Sequence, residues 1–131
     1  MLPCFLCELA VSPNLDNHSN VRYEGQAFIV TETSEFGSWL LALRDRRASA
    51  KIVDRIKRAA NGNFGDVKSA SGGVSELRID YGPGYRVYFI RRGNELVILL
   101  CGGDKRTQRG DIATAKQLKA EIERRNGHKT V

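Results

Sequence analysis

A chain of 131 residues is long enough to bury one modest core without disulfides, and it holds no run of the ~18 apolar residues that a membrane helix needs. Lys and Arg number 21 against 15 Asp and Glu, a net charge of +6 with a sequence pI near 9.5, which favours a polyanion or an acidic protein as partner. Three cysteines, Cys4, Cys7 and Cys101, are too few and too scattered for a disulfide framework, and their odd number points to a reducing, cytoplasmic setting.

Residues 1–20 differ from the rest. They contain Glu8 and Asp16 but no Lys or Arg, so the remaining chain carries +8 to their −2. Pro3, Pro13, Asn14, Asn17 and Asn20 interrupt any period, and the segment reads as a loosely ordered extension ahead of a domain over 21–126. The apolar start, Met1 to Val11, lacks the basic region of a secretory signal. Cys4 and Cys7 form a CxxC, but no second ligand pair accompanies it, so no metal site is expected.

Gln26 to Thr31 predicts a first strand, with Phe28, Ile29 and Val30 supplying β-propensity. Thr33 or Ser34 can cap the following helix, and Glu35 suits its first turn. Phe36, Trp39, Leu40 and Leu43 recur at helical spacing. A second helix is expected from about Arg46 to Ala60, with Ile52, Val53, Ile56 and Ala60 inward and Lys51, Arg55, Lys57 and Arg58 outward. Asn61-Gly62-Asn63 stops it, and the link around Asp45 is short enough for an antiparallel helix pair.

Short strands follow. Asp66 to Ala70 is a weak one, and Val74 to Tyr81 alternates clearly, with Leu77, Ile79 and Tyr81 on one face and Glu76, Arg78 and Asp80 on the other. Tyr85 to Arg91 continues the alternation, with Tyr85, Val87 and Phe89 inward and Arg86, Tyr88 and Ile90 opposite. A three-residue turn, Gly82-Pro83-Gly84, would pair Tyr81 with Tyr85, Arg78 with Tyr88 and Asp80 with Arg86. Arg91-Arg92-Gly93-Asn94 turns into Leu96–Leu100, an apolar run expected to be a central strand that ends on a Gly-Gly-Asp-Lys turn. Ile112, Ala115, Leu118 and Ile122 mark the inner face of a last helix, about Gln108 to Arg125, with a frayed tail over 127–131. The expected class is α+β: an N-terminal strand and a helical hairpin packed on an antiparallel sheet, closed by a C-terminal helix.

FGSWLLALRD (36–45), AKIVDRIKRAANGNFGDVK (50–68), GVSELRIDYGPGYRVYF (73–89) and LLCGGDKRTQ (99–108), in this order, resemble the RelE/ParE toxin superfamily. The likeness spans roughly residues 22–125 and is nearest the phage-derived Gp49-like, HigB-related group of addiction module killer proteins. It implies a toxin held inactive by an antitoxin encoded beside it, expected to be a helix-turn-helix DNA-binding protein. RelE-like members cut messenger RNA on the ribosome without a metal or other cofactor, whereas ParE-like members of the same fold poison DNA gyrase. Fold therefore leaves the choice open, and an inactive remnant is a third reading.

The resemblance places Arg78, in ELRID, at the phosphate-contacting arginine, and Lys105 or Arg106 at the basic residue that meets the scissile phosphate. Arg78, Lys105 and Lys68 are therefore the catalytic candidates, the last as a base or a phosphate ligand if neighbouring cations lower its pKa. Arg86, Tyr88, Arg106 and Gln108 are the RNA-binding candidates, Tyr88 by stacking on a base. For Arg86, a cross-strand pair with Asp80 that merely fixes the hairpin is an equal alternative. The chain departs from the RelE pattern in lacking an aromatic residue near Asp111, and its histidines, His18 and His128, lie near the ends. The general acid and base stay unassigned.

Overall fold

In the computed structural model, which describes residues 23–130 and side chains as far as residue 125, the apolar run Val97–Leu100 lies inside the most deeply buried strand. Among the described residues the sheet has six strands: β1 (Tyr23–Glu24), β2 (Ile29–Glu32), β3 (Val67–Ser71), β4 (Val74–Ile79), β5 (Tyr85–Arg92) and β6 (Leu96–Asp104), in the order β1-β2-β6-β5-β4-β3. Of these neighbouring pairs only β2–β6 is parallel, the connection between the two strands being long enough to carry most of the chain. Helices α1 (Ser34–Ala42) and α2 (Arg46–Ala60) cover one face, and α3 (Gln108–Thr130) covers the other.

Each face has its own core. Phe28, Val30, Phe36, Ile52, Ile56, Leu77, Val87, Phe89 and Leu99 pack under α1 and α2. Val74, Tyr88, Ile90, Ile98, Leu100 and Ala115 pack under α3. The strict alternation of β4 and β5 produces both sets, because successive side chains leave opposite faces. Near Tyr88 the ladder shifts: Tyr88 pairs with Cys101 but Phe89 with Leu99, so Leu100 is an extra residue and both Leu100 and Cys101 join the α3 core.

Local chemistry sets the helix starts. Thr33 caps α1, its hydroxyl oxygen accepting from the Phe36 N–H at 3.1 Å while the hydroxyl donates to the Leu100 carbonyl at 2.6 Å. One side chain thus caps the helix and fastens it to β6. Asp45 caps α2 by accepting from the N–H groups of Arg47 and Ala48. The last helix continues to Thr130, past the stop expected after Arg125.

Two expectations need correction. Gly102, Gly103 and Asp104 belong to β6, and the turn into α3 begins only at Lys105. A Cβ on Gly102 would run into the Trp39 ring, and one on Gly103 into Asp111 and Thr107. Glycine lets a helix approach each face of the strand there. The hairpin register also differs: Ile79, not Tyr81, pairs with Tyr85, so Arg78 lies opposite Arg86 and Glu76 opposite Tyr88. The turn closes through the Gly84 N–H to the Tyr81 carbonyl at 3.0 Å, with Gly82 and Gly84 both at positive φ, so Tyr81 and Gly84 are spent on the turn rather than on the ladder. This leaves Asp80–Gly84 outside the ladder. The slip is two residues, so every side chain keeps its expected face.

At the end of β2, the Glu32 carboxylate sits beside Gly37, and its Oε1 is buried with no hydrogen-bond partner among the described residues. Burial pushes its pKa up to about 7. An acid whose folded pKa is raised costs no stability below its ordinary value near 4.5, and costs progressively more as the pH climbs to about 7. Glu32→Gln should therefore match the wild type near pH 4 and be the more stable protein at pH 8, which urea unfolding at the two pH values checks. Gly102→Ala is expected to lower stability by about 1–3 kcal/mol through overpacking against Trp39, read from the same unfolding curves at pH 7.

Candidate nucleic-acid interface

Register brings two arginines face to face. Arg78 on β4 and Arg86 on β5 are directly opposite, with Gly103 of β6 next in the row. Like charges so placed repel, and each guanidinium is given its own carboxylate. Arg86 Nη1 donates to Glu76 Oε2 at 2.7 Å, and Arg78 Nε donates to Asp66 Oδ2 at 3.3 Å.

The two pairs are unlike in setting. Glu76 is 3% exposed and also accepts from the Gln108 amide, Nε2 to Oε2 at 2.7 Å. A buried carboxylate with two donors is one that the fold has compensated, and removing either partner would strand a charge. The Arg78–Asp66 pair is open, with side chains 33% and 53% exposed. Arg86 is thus committed inward, while Arg78 remains reachable by a ligand.

The expected alternative for Arg86, a pair with Asp80, does not form, because the two-residue slip sets Arg86 beside Glu76 and leaves Asp80 exposed in the turn. Tyr88 does not lie on an open face. It is 0% exposed beneath α3, so its ring offers no surface to a base. Burial first, then the charges of Glu76 and Asp111, raise its pKa, and its hydroxyl has no partner among the described residues. Gln108 is also turned inward, its amide occupied by Glu76.

Lys68, Lys105 and Arg106 are exposed. Lys68 stands on the edge strand β3, in register with Glu76. Lys105 and Arg106 lie in the 3₁₀ turn Lys105–Thr107, and Lys105 packs against the hairpin at Gly84. Asp104 caps that turn, accepting from the Arg106 N–H at 2.8 Å and from its guanidinium at 3.3 Å. Burial alone would raise the Asp104 pKa, but the bonds from Arg106 and the Thr107 backbone outweigh it and hold the carboxyl below its usual value. Cys101, under α3, donates its thiol to the Asp111 carbonyl at 3.4 Å, and burial pushes its pKa up to about 12. It is a small core residue at neutral pH, as its place in an apolar strand suggested.

Sequence reading missed Glu76 as the organising acid. Its signal was present: an acidic residue at every-second spacing with Arg78, on a strand whose other face is apolar. What the pattern lacked was the knowledge that the last helix covers that face. Cys4, Cys7 and His18 lie outside the described residues.

The fold and the site define a small basic α+β domain with Arg78 on β4, Lys68 on the edge strand β3, and Lys105 and Arg106 in the 3₁₀ turn after β6 among its reachable cations. Among the described residues no helix is long and apolar enough to cross a membrane. The chain belongs to the family described as phage-derived protein Gp49-like (DUF891), which matches residues 38–126 and is commonly related to toxin–antitoxin systems. It is similar to a Haemophilus influenzae protein (strain ATCC 51907 / DSM 11121 / KW20 / Rd) described only as an uncharacterized protein. The two are 56% identical over 93 residues, covering 71% of this chain and 94% of that one. No solved structure matches.

Glu76→Gln should destabilise the protein by about 3–5 kcal/mol, since it leaves the Arg86 guanidinium buried without a counter-charge. Asp66→Asn, at the open pair, should cost under about 1 kcal/mol. Urea unfolding of both variants checks the contrast.

Proposed function

We propose that this protein is the toxin of a toxin–antitoxin pair and that it cuts messenger RNA on the ribosome. The reading rests on one observation: of two arginines directly opposite each other, Arg86 is locked inside by Glu76, while Arg78 is held only by an exposed aspartate. An exposed ion pair contributes about 0–1 kcal/mol, so a phosphate can replace or join Asp66 at little cost. Family membership and the RelE-like likeness supply the toxin context.

Cleavage of the ribose-phosphate backbone forms a bond from the 2′-oxygen to phosphorus and breaks the bond from phosphorus to the 5′-oxygen. Negative charge grows on the non-bridging oxygens between these events. Asp66 engages Arg78 through Nε alone, so Nη1 and Nη2 can grip two phosphate oxygens as a fork. Lys105 and Arg106 add positive charge from the 3₁₀ turn, and Lys68 from the sheet edge. No side chain is assigned to take the 2′-proton or to protonate the 5′-oxygen. A site of this kind gains most when the ribosome holds the message in an attack-ready geometry. The partner that silences it is an antitoxin, proposed to be a helix-turn-helix protein, and the compartment is the cytoplasm.

Induced expression in a bacterial host tests the reading through primer extension on abundant messages and the supercoiling of a plasmid. Growth arrest with new message 5′ ends is expected, and Arg78→Ala should reduce those ends by about 100-fold or more. Arrest with intact messages and altered supercoiling would instead identify a gyrase poison. No arrest would identify a remnant.

A further inference from the structure

Arg55, on α2, spends its guanidinium on main chain. Nη1 donates to the Arg78 carbonyl at 2.5 Å, and Nη2 donates to the carbonyls of Phe64 at 2.8 Å and Asp66 at 3.4 Å. All three described acceptors are carbonyl oxygens. Burial pulls the Arg55 pKa below its ordinary value, a cost that exposure on the same helix would have avoided. Those three carbonyls come from the loop after α2, the residue just ahead of β3, and β4. One planar fork thus fixes three chain segments that meet at the Arg78 row.

The same small unit holds Arg78 by its N–H, its carbonyl and its Nε. Its N–H donates to the Asp66 carbonyl at 2.9 Å, its carbonyl accepts from Arg55, and its Nε meets the Asp66 carboxylate. Gly65, with φ +67, lies between two of the clamped residues, and a Cβ there would press on the Arg55 guanidinium at 3.1 Å. The close fit leaves little freedom in where Asp66, and so Arg78, can stand.

We infer that Arg55 is a positioning residue for the Arg78 guanidinium, setting from beneath the sheet the angle at which that fork meets a scissile phosphate. The inference rests on the proposed RNA cleavage at Arg78. A bidentate donor tolerates small errors of placement poorly, because both N–H groups must reach their oxygens together. A lysine ammonium has all its donors on one nitrogen and cannot reach carbonyls that Arg55 meets with two separate nitrogens, so charge alone will not substitute for Arg55.

The test is single-turnover cleavage of ribosome-bound message by purified wild type, Arg55→Lys, Arg78→Lys and the double variant, each shown folded by circular dichroism and urea unfolding. Arg55→Lys should cut about 10–100-fold more slowly, with its half-saturating ribosome concentration unchanged. In the Arg78→Lys background the same substitution should add little further loss, whereas a merely structural role would cost the same in both backgrounds. A second readout needs no turnover: the Arg78 Nε–H NMR resonance should be shifted and exchange faster with water in Arg55→Lys. Wild-type cleavage with an indifferent Arg55→Lys, or full additivity with an unchanged Nε–H resonance, overturns the assignment alone. A wild-type protein that leaves ribosome-bound message intact overturns the cleavage reading and this assignment with it.

Discussion

The buried carboxylate of Glu76 is the constraint around which the α3 face is arranged. It takes one donor from Arg86 on the neighbouring strand and one from Gln108 at the start of α3, both at 2.7 Å. Strand pairing, helix docking and charge compensation therefore meet at a single oxygen. A lone charge at that depth would be costly to bury, so its two donors must both be in place for the helix to close over the sheet. Replacement by apolar residues of equal volume is often tolerated in buried ion pairs, which means that the pair need not be the cheapest way to fill the space. What it does provide is a reason for α3 to begin at Gln108, set against this part of the sheet.

A consequence is the division of labour between two arginines that backbone pairing makes neighbours. With Glu76 spent on Arg86, the carboxylate that meets Arg78 among the described residues is Asp66, and Asp66 stands in solvent. The glycine pair at the end of β6 contributes from the other side. Without side chains at 102 and 103, Trp39 and Asp111 approach the strand from opposite faces, and the 3₁₀ turn carrying Lys105 and Arg106 comes down beside the hairpin at Gly84. Where each of these cations stands is thus set by contacts made elsewhere in the fold, under the stiff packing of two separate cores.

Most of the fold was legible in the chain because its elements announce themselves locally. The helix from Arg46 to Ala60 matches its expected span, having an aspartate cap, a clean apolar stripe and an Asn-Gly stop. Strand faces were also legible, since period two survives a slip of two residues, and the α+β arrangement followed from them. The exact register was not, because it depended on the Gly84 N–H closing the turn on the Tyr81 carbonyl, which takes Tyr81 out of the ladder. Gly102 and Gly103 looked like a turn because glycine commonly marks one; only the approach of Trp39 and Asp111 explains them as strand. Tyr88 looked available to RNA because alternation tells which face a residue occupies but not whether a helix from twenty residues downstream will cover it. Gln108, at the expected turn into that helix, gave no local sign that its amide meets Glu76 on β4. Arg55 gave no local sign of its carbonyl partners, which are tertiary contacts reaching as far as residue 78.

The functional account joins a family commonly related to toxin–antitoxin systems to a particular electrostatic arrangement: an arginine held through its Nε by an exposed aspartate, on a sheet whose edge strand carries the exposed Lys68. Its central claim is that the 2′-hydroxyl of a ribosome-held message attacks the adjacent phosphate beside Arg78. The most direct measurement is the chemistry of the new 3′ ends made by the purified protein on ribosome-bound message. Attack by the 2′-hydroxyl leaves 2′,3′-cyclic phosphate ends paired with 5′-hydroxyl ends, and those are the ends predicted. Ends bearing a free 3′-hydroxyl, paired with 5′-phosphate ends, would contradict it.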